Sequence, residues 1–143
     1  MNRKKLRAAQ QARVRQASGE RCGYCLSPQR LVLGRLEFEH IIPLAGGGGD
    51  DDENLCLACA LCNRYKGSQT SAWDPVSKME VILFNPRRDD WQENFSWIDD
   101  GTRIVGRTAI GRATVDALKL NNAVAVEVRR NWVSAGWKPP DFD

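Results

Sequence analysis

The sequence Cys22-Gly-Tyr-Cys25, followed further on by Cys59-Ala-Leu-Cys62, contains two Cys-x-x-Cys pairs separated by a hairpin-sized segment. Two such pairs are typical of one tetrahedral zinc site made of four thiolates. A site with four protein ligands has no open position, so we expect this zinc to be structural. It would hold together both ends of a segment too short to fold by itself.

The fifth cysteine, Cys56, leaves the ligand set open, because Cys56-x-x-Cys59 is also a pair. We prefer Cys59 with Cys62, since the neighbours Leu55 and Leu57 suggest that Cys56 packs as a small apolar side chain. The alternatives are free buried cysteines or a redox-active dithiol. The second is disfavoured, because no βαβ pattern surrounds either pair.

The charge is unevenly distributed along a chain of 143 residues whose formal net charge is only +3. From Met1 to Arg35 the only acid is Glu20, whereas acids cluster from Asp50 to Glu53. A basic end on a nearly neutral chain favours contact with nucleic acid. The alternative is a solvated helix face, the commoner outcome for a run of charges.

The compartment is predicted from what the sequence lacks. No apolar stretch approaches the roughly 20 residues that span a bilayer, and no apolar segment follows the basic N-terminus as in a secretory signal. We therefore expect a cytoplasmic protein without a membrane partner or an organic cofactor, in which paired cysteines bind metal rather than form disulfides. The oligomeric state is left open.

Local patterns predict the secondary structure of the first half. Asn2–Ala17 is rich in helix formers, and Leu31–Leu36 and Glu37–Ile42 suggest two short strands. The glycines Gly46–Gly49 must form a loop, and a helix is expected to start near Asn63–Ser68.

In the second half, Val81–Phe84 suggests a strand, and Phe95–Ile98 with Thr102–Gly106 suggests a hairpin around an Asp-Asp-Gly turn. Apolar residues at helical spacing predict helices over Thr108–Leu120 and Ala123–Trp132.

The only histidine, His40, lies in Glu39-His40-Ile-Ile-Pro43, at the end of a predicted strand. A neutral imidazole can accept a proton from water. Neighbouring residues of a strand point to opposite faces, so Glu39 and His40 face one site only if the strand ends there, and Pro43 supplies that ending. The alternative for His40 is a packing role.

Hydrolysis of a phosphodiester needs a base, a cation that neutralises developing charge, and a group that orients the base. Glu39 and Asn63 offer oxygen ligands for a hard divalent ion such as Mg²⁺. Asn54 would orient His40 or brace the loop through its amide. Arg64 and Lys66 follow directly and are candidates for phosphate contacts, with solvated helix charges as the alternative.

From Arg21 to Ser68, about a third of the chain, these motifs together resemble an HNH nuclease with a structural zinc, which has the ββα-metal (His-Me finger) fold. The resemblance implies His40 as general base, Asn54 at the middle position, Asn63 in place of the last histidine, and Glu39 as the acidic ligand of a catalytic Mg²⁺ or Mn²⁺. It also implies a DNA substrate and products with 3′-hydroxyl and 5′-phosphate ends. Aspartate is commoner than glutamate at the acidic position.

The later segments, among them Phe84-Asn-Pro-Arg87, are similar to bacterial stand-alone HNH proteins and assign no chemistry. We therefore predict a small α+β protein, with a zinc-bound nuclease core and basic helix at 1–71 and an extension packing on it at 72–143. The predicted activity is metal-dependent cleavage of DNA with one divalent ion. The alternatives are a non-catalytic zinc-ribbon module that binds nucleic acid and an iron-binding redox protein.

Overall fold

The computed structural model describes residues 6–140 and residue 142. Helices and short antiparallel hairpins alternate along this part of the chain, which confirms the predicted α+β class. The helices are α1 (Ala8–Ala17), α2 (Ala60–Lys66), α3 (Trp91–Asn94), α4 (Ala109–Ala117) and α5 (Ala123–Ser134). The strands are β1 (Glu37–His40), β2 (Leu55–Ala58), β3 (Ser71–Asp74), β4 (Met79–Ile82), β5 (Phe95–Ile98) and β6 (Arg103–Gly106).

The N-terminal helix α1 is shorter than the helix predicted over Asn2–Ala17. It begins at Ala8, after Arg7 in an extended conformation, and residues 1–5 lie outside the described part of the chain. It lies against β2 and buries Val14. Most of its other side chains are exposed, in keeping with a thin apolar stripe and a basic surface.

The central hairpin pairs β1 with β2, so that Glu39 lies opposite Cys56 and His40 opposite Leu55. The strand predicted over Leu31–Leu36 was wrong. The chain forms a 3₁₀ turn at Gln29–Leu31 and then bends through Gly34, whose φ is +80°. The Gln29 side chain closes this loop by donating to the carbonyl of Gly34 and accepting from the amide of Leu36, both at 2.8 Å.

The helix α2 follows β2 directly and begins earlier than the Asn63 start we predicted. The sulfur of Cys59 caps it by accepting from the backbone amide of Cys62 at 3.4 Å, and Gly67 ends it with a φ of +54°. The helix contacts β1, which completes a hairpin-plus-helix unit.

The second half of the described chain contains two more hairpins and three helices. The predicted hairpin over Phe95–Ile98 and Thr102–Gly106 is confirmed as β5–β6. The strand predicted at Val81–Phe84 lies slightly earlier, in β4, where it pairs with β3. Thr108 and Asn122 cap α4 and α5 through side-chain oxygens, near the starts predicted for these helices.

Both halves contribute to one hydrophobic core. The indole nitrogen of Trp91 donates to the carbonyl of Tyr24 at 2.9 Å, between the first two cysteines. A side chain at Gly23 would collide with Pro86, so glycine allows Pro86 to pack closely against this turn. The division at residue 71 stays a prediction. No helix in the described part of the chain is long and apolar enough to cross a membrane.

Candidate metal centre and active site

The four predicted zinc ligands come together in a single cluster. One sulfur from each of Cys22, Cys25, Cys59 and Cys62 lies within 4.8 Å of the others, and the sulfurs of Cys25 and Cys59 are 3.8 Å apart. Zn–S bonds of about 2.3 Å in a tetrahedron place neighbouring sulfurs about 3.8 Å apart. The donor set and its spacing therefore fit a zinc ion.

Local turns aim the sulfurs inward. In the first pair, the amide of Leu26 donates to the carbonyl of Cys22 at 3.0 Å, and Gly23 is anchored to the carbonyl of Leu57 at 2.8 Å. Hydrogen bonds between the thiols, chiefly from Cys22, lower the pKa of Cys25 well below its usual range, whereas burial raises the pKa of Cys22. Because the thiols lie close together, ionisation of one disfavours ionisation of the others. A cation bound among them would remove this repulsion between thiolates.

The fifth cysteine lies outside the zinc cluster, as we predicted. Cys56 is fully buried on β2 and donates its S–H to the carboxylate of Glu39 at 3.3 Å. Burial raises the pKa of Cys56 well above its usual value, which keeps the group a neutral thiol and a donor.

The carboxylate of Glu39 lies in a buried polar network between β1 and α2. The hydroxyl of Tyr24 donates to its Oε2 at 2.8 Å, and the ammonium of Lys66 lies 2.6 Å from its Oε1. Burial raises the pKa of Tyr24, so the phenol remains a donor. The contact with Lys66 lacks hydrogen-bond geometry, which leaves Oε1 buried without a hydrogen-bond partner.

The position of Lys66 corrects its predicted contact with a phosphate. Its side chain is only 1% exposed, and its ammonium donates to the carbonyl of Ile41 at 2.9 Å while facing Glu39. A charge enclosed in this way neutralises an internal carboxylate rather than a ligand in solvent. Arg64, two residues earlier on α2, is exposed and stays a candidate for phosphate contact.

We predicted that Asn63 and Glu39 hold one ion together, but the side-chain amide of Asn63 bonds to Glu37. Its Nδ2 donates to Oε1 of Glu37 at 2.6 Å. Glu37 and Glu39 are two residues apart on β1 and share the face that α2 covers. Two carboxylates and an amide oxygen are the kinds of ligand that a hard divalent ion prefers, but Oε1 of Glu39 is buried and already paired with the Lys66 ammonium.

His40 lies at the end of β1, where its ring is buried and its Nε2 lies 2.6 Å from Oδ1 of Asp50. Asn54 braces the intervening loop. Its Oδ1 accepts from the amide of Ile42 at 2.8 Å, and its Nδ2 donates to the carbonyls of Ile42 and Gly49 at 2.9 and 2.8 Å. Of the two roles predicted for Asn54, the bracing role is the one these hydrogen bonds describe.

The comparison with protein families matches this part of the chain. The model of the HNH endonuclease family covers residues 22–69, which include the four clustered cysteines, His40, Asn54 and Asn63. Residues 22–69, about a third of the chain, match the HNH endonuclease model, and we call them the HNH domain. Neither the search of the curated proteins nor the search of the solved structures found a match.

Two acidic residues of the HNH domain were missed by the sequence analysis. Glu37 could have been found, because it lies two residues before Glu39 and a strand places such residues on one face. Asp50 could not have been singled out, since Asp51, Asp52 and Glu53 follow it directly. Only the loop conformation determines which of these carboxylates turns towards His40.

Proposed function

We propose that the HNH domain is a metal-dependent DNA endonuclease that hydrolyses phosphodiester bonds. The main support is His40, the only imidazole of the chain, held beside Asp50 at the end of β1. Glu39 directly precedes His40 on β1, and Asn63 lies on α2, which contacts the same strand. A base and a set of oxygen ligands are what hydrolysis of a phosphodiester requires.

In this proposal, His40 takes a proton from the attacking water. Glu39 and Asn63 hold a Mg²⁺ or Mn²⁺ ion, and we add Glu37 because it already bonds to Asn63. Such an ion, when bound, supplies neutralisation of charge on the phosphate and the leaving oxygen. The buried ammonium of Lys66 already contributes one positive charge to Glu39, so we expect this carboxylate to attract a second cation less strongly than an unpaired one.

The remaining parts of the site support and bind. Zinc held by the four cysteines keeps the hairpin and α2 in register, with no open position for catalysis. Arg64, exposed on α2 one residue after Asn63, is proposed to contact a DNA phosphate.

The decisive experiment is plasmid cleavage by zinc-loaded protein with Mg²⁺, Mn²⁺ or EDTA, beside the variant His40→Ala. We expect nicking or linearisation that needs a divalent ion and is reduced at least a hundredfold in His40→Ala, as expected for loss of a general base. DNA binding by the variant, measured by fluorescence anisotropy in Ca²⁺, should be unchanged. Equal cleavage by the two proteins would exclude His40 as the base.

A second candidate is a non-catalytic zinc module that binds nucleic acid. It is favoured by the burial of His40 and by two exposed arginines, Arg7 just before α1 and Arg13 within it, which suit contact with a polyanion. It predicts salt-sensitive DNA binding without cleavage under any of the three ion conditions, so the same assay separates the two functions.

A further inference from the structure

We propose that Asp50 is a positioning residue for His40, which fixes the tautomer and the direction of the imidazole. The inference deepens the proposed nuclease function and rests on it for its catalytic meaning. The hydrogen bond between His40 and Asp50 can be tested without measuring any activity.

The imidazole of His40 is in direct contact with the carboxylate of Asp50. Nε2 of His40 lies 2.6 Å from Oδ1 of Asp50, with the histidine side chain 5% exposed and the aspartate 45% exposed. An ionised carboxylate only accepts hydrogen bonds, so the proton between the two atoms belongs to Nε2. In a neutral imidazole this makes Nε2 the donor nitrogen and Nδ1 the acceptor nitrogen.

Hydrogen bonds on both sides of Asp50 hold the loop that carries it. The amide of Asn54 holds the carbonyl of Gly49, and the side chain of Gln10 on α1 donates to the carbonyl of Asp50 itself. At Gly48, a Cβ would collide with the carbonyl oxygen of Ile42, so the chain passes there without room for a side chain. The backbone on both sides of the Asp50 side chain is therefore fixed.

Asp50 differs from the neighbouring acids in what its carboxylate contacts. Asp52 is bonded through both carboxylate oxygens to Arg13 of α1, at 2.7 and 3.2 Å, and Asp51 is exposed. Of these three aspartates, Asp50 is the one whose carboxylate lies against the buried ring of His40.

The direct test is the tautomer of His40 by ¹⁵N NMR of the imidazole, which the single histidine makes unambiguous. The sample is zinc-loaded protein without other divalent ions, at a pH where the ring is neutral. We expect the proton on Nε2 in the wild type and in Asp51→Asn. We expect a shift towards a mixture of tautomers in Asp50→Ala. A wild-type proton on Nδ1, or an unchanged tautomer in Asp50→Ala, would overturn the inference.

The kinetic test uses the plasmid assay with matched variants. Asp50→Ala should lower kcat about 10- to 100-fold, the usual effect of removing an orienting partner, with KM and melting temperature unchanged. Asp50→Asn, which keeps an acceptor oxygen but loses the charge, should lie between Asp50→Ala and the wild type. Asp51→Ala should match the wild type.

The experiments distinguish a failure of the nuclease function from a failure of the positioning role of Asp50. If no variant and no ion gives cleavage, the nuclease function fails, and the NMR result still decides whether Asp50 sets the tautomer. Cleavage that falls equally in Asp50→Ala and Asp51→Ala would point to loop charge instead and overturn the positioning role.

Discussion

At the scale of single residues, the most consequential feature is a charge pair enclosed by protein. Glu39 and Lys66 are 4% and 1% exposed in their side chains and lie 2.6 Å apart. An ionised group in such surroundings is costly unless it is paired, and removal of one partner leaves the other charge uncompensated. Tyr24 and Cys56 support the pair by donating to the second oxygen of Glu39.

We expect Lys66→Met to lower the free energy of unfolding by about 3–5 kcal/mol, because it leaves the Glu39 carboxylate buried without a counter-charge. The measurement is urea denaturation of zinc-loaded protein. Arg64→Met on the same helix is the matched control, and its exposed position predicts a change within about 0.5 kcal/mol. Similar losses in the two variants would contradict the importance of the buried pair.

Residue identities could be predicted from the sequence more reliably than residue contacts. The four cysteines of the cluster were identified from spacing alone, because Cys-x-x-Cys geometry is local. The partners of Lys66 and Asn63 were not, since both depend on how α2 rotates over β1. A rotation of one residue on a helix turns a side chain by about 100°, which is enough to move a lysine from solvent to the core.

At the scale of elements, the loop between β1 and β2 is shaped by close approach of its own backbone. Gly48 passes beside the carbonyl of Ile42 and the amide of Asn54. The sequence predicted this loop from its glycines. The strand at Leu31–Leu36 was predicted wrongly because a short apolar run also suits a bent segment, and Gly34 with a positive φ favours the bend.

We expect Gly48→Ala to destabilise the loop by about 1–3 kcal/mol, since the added methyl group forces the backbone of Ile42 or the Asn54 amide to move. Thermal unfolding and the NMR signals of His40 would report the change. Gly49→Ala is the control, because a Cβ there meets only the Asp51 carboxylate at 3.8 Å. If Gly49→Ala perturbed His40 as much as Gly48→Ala, crowding at Gly48 would not be the cause.

At the scale of the whole molecule, the four-cysteine cluster and an ion pair between β3 and α4 bring distant parts of the chain together. The four cysteines join the turn before β1 to the start of α2. In the second half, the guanidinium of Arg112 on α4 donates to both oxygens of Asp74 at the end of β3, at 3.0 and 2.9 Å.

We expect Cys59→Ser to lose zinc and cooperative unfolding together, because metal binding and folding of this segment are coupled. Cys56→Ser should keep one zinc per chain, since Cys56 lies outside the cluster. Metal content by mass spectrometry and a thermal melt of each protein are the measurements. Loss of zinc in Cys56→Ser would revise the ligand set.

The ion pair between Asp74 and Arg112 predicts a pH dependence of stability. Arg112 lowers the pKa of Asp74 below its usual value of 3.8. A carboxyl whose pKa is lowered on folding stabilises the native state above its unfolded pKa, and this contribution is lost as the pH falls through the folded pKa. Asp74→Asn should therefore be less stable at pH 7 and lose less stability on acidification below about pH 4. Equal acid sensitivity of the two proteins, in urea titrations at several pH values, would contradict this role.

The hydrogen bond between Trp91 and Tyr24 affects how long a fragment must be to carry this domain into another protein. The carbonyl of Tyr24, inside the first cysteine turn, is bonded by an indole that lies beyond residue 69, where the family match ends. The hydroxyl of the same tyrosine reaches Glu39. A fragment cut at the family boundary would leave that carbonyl without its partner and Gly23 without its cover. We expect the smallest fragment that folds by itself to be longer than the matched segment, so a chimera that borrows this HNH domain should also carry α3 and the segment before it.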